Sequence, residues 1–193
     1  MKRRNWFLLA VAVLLMVANG FARVRLGVNL GVAPVYQGDY REVVCKISGK
    51  NRTVASSGCG AACASMAIHA RRGKEVDPTE LFRFAWEEGL YAGEGLSHRA
   101  VSRILLENGV SSRWIGLEKT RILAALYLGF PVIAHMGPGT FTRNGHYILL
   151  VGVTSEGEIL VNDPASRTRT GCAYPLEEIF AESRTETPFC ICG

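Results

Sequence analysis

The sequence has no apolar run long enough to cross a lipid bilayer. Its longest run, residues 6–18, holds 13 residues, whereas a membrane-spanning helix needs about 20. It also has no internal repeat and no low-complexity segment, which excludes solenoid and collagen-like chains. With 48% hydrophobic residues, it is not a disordered chain either. We therefore expect a single globular domain.

Beyond the three basic residues at positions 2–4, Arg and Lys are scattered along the chain and form no basic stripe. The formal net charge is +5, but residues 1–22 carry three basic residues and no acidic one. Without that segment the charge is only +2, and the sequence gives no argument for nucleic-acid binding.

The N-terminus has the pattern of an export signal. Three basic residues precede the apolar run, and Gly20 and Ala22 follow it as small residues. We interpret residues 1–22 as a signal peptide cleaved after Ala22. The alternative is an uncleaved signal anchor, which would associate the protein with a membrane. In both cases residues 23–193 are expected to form one domain that is secreted or held at the cell surface.

A core of this size does not need disulfides for stability, yet the chain has six cysteines: Cys45, Cys59, Cys63, Cys172, Cys190 and Cys192. They could form three disulfides, or one could be a reactive thiol among five others. Cys190 and Cys192 are interpreted as two small buried hydrophobic residues. A disulfide from one of them to Cys45 or Cys172 is the alternative. A metal site would need a second well-spaced pair.

Helical patterns come before strand patterns, which predicts an α+β fold. An irregular lead-in over residues 23–52 comes first. The predicted helices then cover residues 61–72, 77–89, 97–109 and 117–128, with a short last helix at 174–180. The predicted strands cover residues 131–136, 146–154 and 158–162, and the second of these is apolar enough to be buried on both faces.

Cys59 carries the strongest local signal. It lies between Gly58 and Gly60, in a tight turn at the start of an alanine-rich helix. Unpaired N–H groups at a helix N-terminus stabilise a thiolate, and the N–H of Cys59 could also stabilise an oxyanion. We expect the two glycines to let a substrate carbonyl approach closely. A plain buried cysteine is the alternative, and Cys63, one turn further, is interpreted as an inert core thiol.

A cysteine nucleophile needs a histidine base, and His146 is the best of four histidines. It follows a glycine-rich loop and begins a buried strand, so its ring lies at a sheet end. His69 points away from the helix N-terminus. His98 is interpreted as a capping or exposed residue, and His135 as a satisfied core residue.

Asp163 is the predicted orienting acid. A short turn joins strands 146–154 and 158–162, so antiparallel pairing brings Asp163 within about two residues of His146, or roughly 7 Å along the strand. We expect its carboxylate to bond Nδ1 of His146. An ordinary strand-ending turn is the alternative.

Gln37 is the only glutamine in the chain. Its side-chain amide is a suitable second donor for an oxyanion. A solvated turn residue is the alternative.

At these residues the sequence resembles the papain-like cysteine peptidases, and more closely the double-glycine leader peptidase family in its stand-alone exported branch. The matching segments run in family order, at residues 36–37, 57–60, 129–133, 145–148 and 162–164. The resemblance implies that Cys59 is the nucleophile, His146 the base, Asp163 the orienting acid and Gln37 the oxyanion donor. Ala61 departs from the family, which often has proline there.

The resemblance implies a papain-like α+β fold, in which an N-terminal helical part packs on a C-terminal antiparallel sheet. It also implies a thiol-dependent peptidase that acts through a thioester on a peptide or protein, with no metal or organic cofactor. One alternative is another thiol acyltransferase or amidase on the same fold. The other is a non-catalytic, disulfide-stabilised binding module in which Cys59 is bridged.

Overall fold

The computed structural model describes residues 26–91, 93 and 95–193, so the predicted signal peptide lies outside the described residues. Within them the helices are α1 Val54–Ser57, α2 Cys59–Arg72, α3 Pro78–Glu87, α4 His98–Glu107, α5 Lys119–Tyr127 and α6 Leu176–Ala181. The strands are β1 Val28–Asn29, β2 Cys45–Ile47, β3 Lys50–Arg52, β4 Ser112–Ile115, β5 Val132–Met136, β6 His146–Val153, β7 Ile159–Asn162, β8 Ala173–Tyr174 and β9 Phe189–Cys192. None of these helices is long and apolar enough to span a membrane.

One antiparallel sheet organises the described chain. Its strand order is β4-β9-β5-β6-β7-β8, and β1 pairs with the end of β6 that β5 does not cover. A separate hairpin joins β2 and β3. The predicted α+β class is confirmed.

The sheet separates two hydrophobic cores. One core lies against α2, α3 and α4, and the other against α5 and α6. All eight residues of β6 are buried, as the sequence predicted for a strand covered on both faces. This central strand therefore fixes the position of His146, its first residue.

Local signals set most helix ends. Asp77 caps α3 by accepting a hydrogen bond from the Thr79 N–H at 2.6 Å, and Ser97 caps α4 through the Ala100 N–H at 3.2 Å. The predicted tight turn over residues 56–60 is wrong. α1 ends there and α2 begins at Cys59, because Gly58 links the two helices directly.

Beyond the irregular lead-in, three strands were not predicted, namely β4, β8 and β9. β4 pairs only with β9, and β9 inserts between β4 and β5. β9 carries Cys190 and Cys192, which are both fully buried, and all six cysteines are free thiols. The interpretation of this pair as two buried hydrophobic residues is therefore the one that fits.

A β-bulge in β6 brings the ends of the predicted hairpin together. Gly152 pairs with Leu160, but Leu150 pairs with Val161 and Leu149 with Asn162. The bulge shifts the register by one residue, so Asp163 is level with Ile148, two residues from His146 rather than three. Residues two apart lie on the same face of a strand. The bulge therefore also places the side chains of His146 and Asp163 on the same face of the sheet.

Candidate active site

A cleft of about 1260 Å³ opens between the start of α2 and one end of the sheet. Cys59, His146 and Gln37 line it, together with the loop before β6 and the segment after α6. The start of α2 and the sheet form two of its walls, and residues 181–184 also line it.

Cys59 is the first residue of α2, and its side chain is partly exposed. Burial by itself raises the pKa of this thiol. The hydrogen bond and charge of His146, together with the backbone N–H groups of Tyr147 and Gly60, outweigh burial and lower the pKa overall. The site therefore favours the thiolate. Cys63, one turn further, is fully buried as predicted, and burial raises its pKa well above the usual value.

The two glycines beside Cys59 make room for the protein itself. A Cβ at Gly58 would lie 2.5 Å from the Cα of Val54, and one at Gly60 would lie 3.1 Å from Cδ2 of Tyr147. The prediction that they also admit a substrate carbonyl stays a prediction. They let α1 and Tyr147 pack tightly around the first turn of α2.

His146 bonds Asp163 through Nε2, at 2.8 Å from Oδ1. The contact was predicted, but the predicted nitrogen, Nδ1, is wrong. Asp163 lies two register positions from His146, so the ring reaches it with its distal nitrogen. Nδ1 is left for the hydrogen bond with the thiol of Cys59.

The pKa of His146 is raised to about 9. Burial by itself lowers this pKa. The hydrogen bonds to Asp163 and Cys59 and the charges of both groups raise it by a larger amount. The two opposite shifts favour a protonated imidazole beside a thiolate.

Asp163 is almost fully buried, and its carboxylate accepts three hydrogen bonds. The donors besides His146 are the Ala165 N–H at 2.8 Å and Nε of Arg169 at 2.6 Å. Burial raises the pKa of the carboxyl group, but these donors hold it below its usual value. Sequence reasoning missed Arg169, which lies in a loop where no periodicity predicts the direction of a side chain.

Gln37 lies at the cleft, on a 3₁₀ turn over Gln37–Asp39. Its Nε2 donates to the Ala55 carbonyl at 3.1 Å, and its backbone N–H donates to the Pro164 carbonyl at 2.9 Å. The second bond ties Gln37 to the residue after Asp163. One amide hydrogen of the side chain is left for a ligand, because only one is used by Ala55.

The remaining histidines do not contact Cys59 or Asp163. His69 lies in the last turn of α2, as predicted. Nε2 of His98 is 3.0 Å from Nδ1 of His135, and His98 stacks on Trp114 at 3.6 Å between ring centroids. His98 is therefore neither a cap nor fully exposed, which corrects its interpretation. His135 is hydrogen-bonded as expected, but it also lines the cleft.

The sequence profile of the Peptidase_C39 like family matches residues 30–185. The chain belongs to this family. No curated protein sequence matches it significantly. The fold of the described residues is similar to three solved structures, all at low sequence identity, so these likenesses concern the fold alone.

The first is the peptidase domain of Streptococcus ComA, an ABC transporter involved in quorum sensing, with a TM-score of 0.55 and 18% identity over 70% of this chain and 90% of that chain. The second is described as a C39-like peptidase from Bacillus anthracis, with a TM-score of 0.60 and 12% identity over 86% of this chain and 97% of that chain. The third is xylellain, a cysteine protease from Xylella fastidiosa, with a TM-score of 0.54 and 13% identity over 86% of this chain and 85% of that chain.

Family membership supports a peptidase function for this chain, and the fold is that of papain-like cysteine proteases.

Proposed function

We propose that this protein is a thiol peptidase in which Cys59, His146 and Asp163 act as a catalytic triad. The observation that carries the proposal is the continuous chain of contacts from the thiol of Cys59 through His146 to the buried Asp163, at the wall of a cleft. The opposite pKa shifts of Cys59 and His146 are those of a thiolate–imidazolium pair.

In this reaction the thiolate of Cys59 attacks the carbonyl carbon of a peptide bond. His146 then gives the proton on Nδ1 to the leaving amine, and a thioester remains on Cys59. Water, deprotonated by His146, hydrolyses the thioester and releases the acid. Asp163 holds Nε2–H of His146 throughout, so the ring keeps the orientation that presents Nδ1 to the sulfur.

The negative oxygen formed in each addition step needs fixed donors. We assign this role to the free amide hydrogen of Gln37 and the backbone N–H of Cys59. Two bonds support the assignment, because the bond from Nε2 to Ala55 holds the side chain of Gln37 and the bond from its backbone N–H to Pro164 holds the turn before substrate arrives.

We also propose that the enzyme works outside the cytoplasm, as a secreted or surface-held domain. The support is the basic and apolar pattern of residues 1–22. Sequencing the N-terminus of the protein recovered from its native host is expected to give Arg23. An N-terminus at Met1 in a membrane fraction would indicate the anchor instead.

The test of the triad compares Cys59→Ala with Cys172→Ala, since Cys172 is an exposed thiol away from the cleft. We expect Cys59→Ala to lower kcat/KM on a quenched peptide pool by about 10³-fold or more, because no nucleophile remains. Both variants should keep the wild-type circular dichroism spectrum and melting temperature.

Turnover retained by a folded Cys59→Ala variant would contradict the proposal. Adding a primary amine to the wild-type assay distinguishes hydrolysis from acyl transfer. We expect the free acid to stay the main product, and an amide as the main product would indicate an acyltransferase.

A further inference from the structure

Arginine side chains line the cleft from both sides. Arg52 lies at the end of β3, near the start of α2. Arg143 lies in the loop before β6, and Arg184 follows α6. Among the cleft-lining residues that the structure describes, only Glu182 is acidic, and its carboxylate already accepts a hydrogen bond from the Thr140 N–H at 2.8 Å.

These three arginines have no acidic partner among the described residues, whereas several arginines outside the cleft do. Arg83, Arg121 and Arg167, for example, form ion pairs with Glu42, Glu118 and Asp39.

The bonds that the cleft arginines do make leave donors free. Among the described residues the guanidinium of Arg184 donates one hydrogen bond, from Nη1 to the Asn144 carbonyl at 3.3 Å, and Nε of Arg52 is buried with no hydrogen-bond partner.

Arg184 packs beside the residue that precedes His146. Its Nη1 would be 2.7 Å from a Cβ built at Gly145, the residue before His146, so the guanidinium packs over the backbone at the start of β6. Its charge also reaches the next strand, where it contributes to lowering the pKa of His135. Because residue 145 is a glycine, no side chain at that position clashes with the guanidinium of Arg184.

A concave site with unpaired positive charge on both walls attracts carboxylates, and the low-dielectric walls strengthen the attraction. The guanidinium group fits a carboxylate with two parallel hydrogen bonds, and it stays charged at any pH at which the enzyme works. The same charges would repel a basic substrate.

We propose that the cleft selects acidic peptides, with Arg184 binding a glutamate or aspartate side chain next to the scissile bond. Arg52 and Arg143 extend the same preference along the two walls. This inference rests on the proposed peptidase function, and it assigns the substrate class of that site.

The test uses two matched pools of quenched peptides. Both pools have a randomised central pair of residues, and the four positions around it are Glu in one pool and Gln in the other. We expect wild-type kcat/KM to be at least 10-fold higher on the Glu pool at about 50 mM salt. The ratio should fall as salt increases, because the attraction is electrostatic.

The variants identify the residue responsible. Arg184→Gln should reduce the Glu-to-Gln ratio to about one third or less of the wild-type value. Arg184→Lys should keep part of it, because lysine retains the charge but not the two parallel bonds. Arg121→Gln, which removes an arginine outside the cleft, should leave the ratio unchanged. Equal rates on the two pools would overturn the inference and leave the peptidase proposal intact.

Binding to the Cys59→Ala variant provides a readout that does not need turnover. We expect fluorescently labelled peptides of the Glu pool to bind at least 5-fold more tightly than those of the Gln pool, with the difference reduced by a second substitution, Arg184→Gln. Preferential binding without any cleavage by the wild type would overturn the peptidase proposal alone. Equal binding of the two pools would overturn the inference.

Discussion

His146 and His135 lie on adjacent strands at the same end of the sheet, yet their pKa values shift in opposite directions. In the register, Met136 pairs with His146 and His135 with Tyr147. Burial lowers the pKa of both rings. For His146 the bonds to Asp163 and Cys59 reverse that effect and raise it to about 9. For His135 the positive Arg184 and the neighbouring His98 add to burial, and its pKa is lowered to about 4.

The comparison shows that the hydrogen-bond partner of each ring, rather than its position in the sheet, decides what the ring can do. A buried carboxylate makes His146 a cation that can hold a thiolate and donate a proton. Burial, with a second imidazole rather than a carboxylate as the partner, leaves His135 neutral as part of the cleft wall. Substitutions that remove or exchange these partners should therefore change the two histidines differently.

The largest expected effect comes from His146 itself. His146→Ala removes the proton donor and the partner of the thiolate, so kcat/KM should fall by about 10²–10⁴-fold, as for other general acid–base groups. The matched change on the neighbouring strand, His135→Ala, should cost less than about 10-fold. Steady-state kinetics on one peptide measures both. Similar losses from the two variants would contradict the distinction drawn between the rings.

A smaller effect is expected from Asp163→Asn, which gives His146 a neutral partner as His135 has. The amide oxygen can still accept from Nε2, but the negative charge is gone. The pKa of His146 should fall from about 9 towards its ordinary value, near 6.5.

The decisive readout is the basic limb of the pH–rate profile. In the wild type, activity should be lost as the pH rises through about 9, when His146 loses its proton. In Asp163→Asn the limb should move to lower pH, and kcat should fall. A basic limb that stays at the same pH would show that Asp163 does not set the charge of His146.

Removing Arg169 should act in the opposite direction on the same limb. Nε of Arg169 is bonded to Oδ2 of Asp163, and in Arg169→Gln the carboxylate keeps more of its charge for His146. The basic limb should therefore move to higher pH, with a loss of only a few fold in kcat. Arg167→Gln, whose arginine pairs with Asp39, is the control and should leave the limb in place. A limb that moves to lower pH would contradict this positioning role for Arg169.

The smallest effect is expected from His98→Phe. Phenylalanine can keep the stack on Trp114, but it removes the ring nitrogen that faces His135. Since the charge of His98 contributes to lowering the pKa of His135, that pKa should rise modestly. Titration of the ring protons by NMR measures it, and kcat/KM should change by less than about 2-fold. A shift in the pKa of His146 equal to that of His135 would show that the two rings are coupled rather than separate.

The parts of the site that follow from short stretches of chain could be predicted. A glycine-flanked cysteine before an alanine-rich segment indicates a helix N-terminus, and a short turn between two strands fixes which residues share a hairpin end. His146 and Asp163 are brought together for this local reason, whereas Cys59 reaches His146 through the packing of α2 on the sheet.

The parts that depend on distant packing could not be predicted. The insertion of β9 beside β5 and the pairing of His98 with His135 join residues far apart in sequence. The bulge in β6 depends on how β7 packs, and the direction of the Arg169 side chain depends on the loop that follows β7. The periodicity of the sequence predicts neither feature. The ring nitrogen that faces Asp163 depends on the orientation of the His146 ring, which the spacing of the two residues does not determine, and it was assigned incorrectly.

The most direct test of the thiolate–imidazolium pair is the rate of iodoacetamide alkylation of each cysteine between pH 4 and 9, measured by peptide mass. Cys172 serves as the exposed reference and Cys63 as the buried one, within the same chain. We predict that Cys59 reacts rapidly well below the pH at which a free thiol ionises, near 8.5, and that Cys63 stays unlabelled. Labelling of Cys59 that rises only with the pH profile of Cys172, or no labelling at all, would contradict the account.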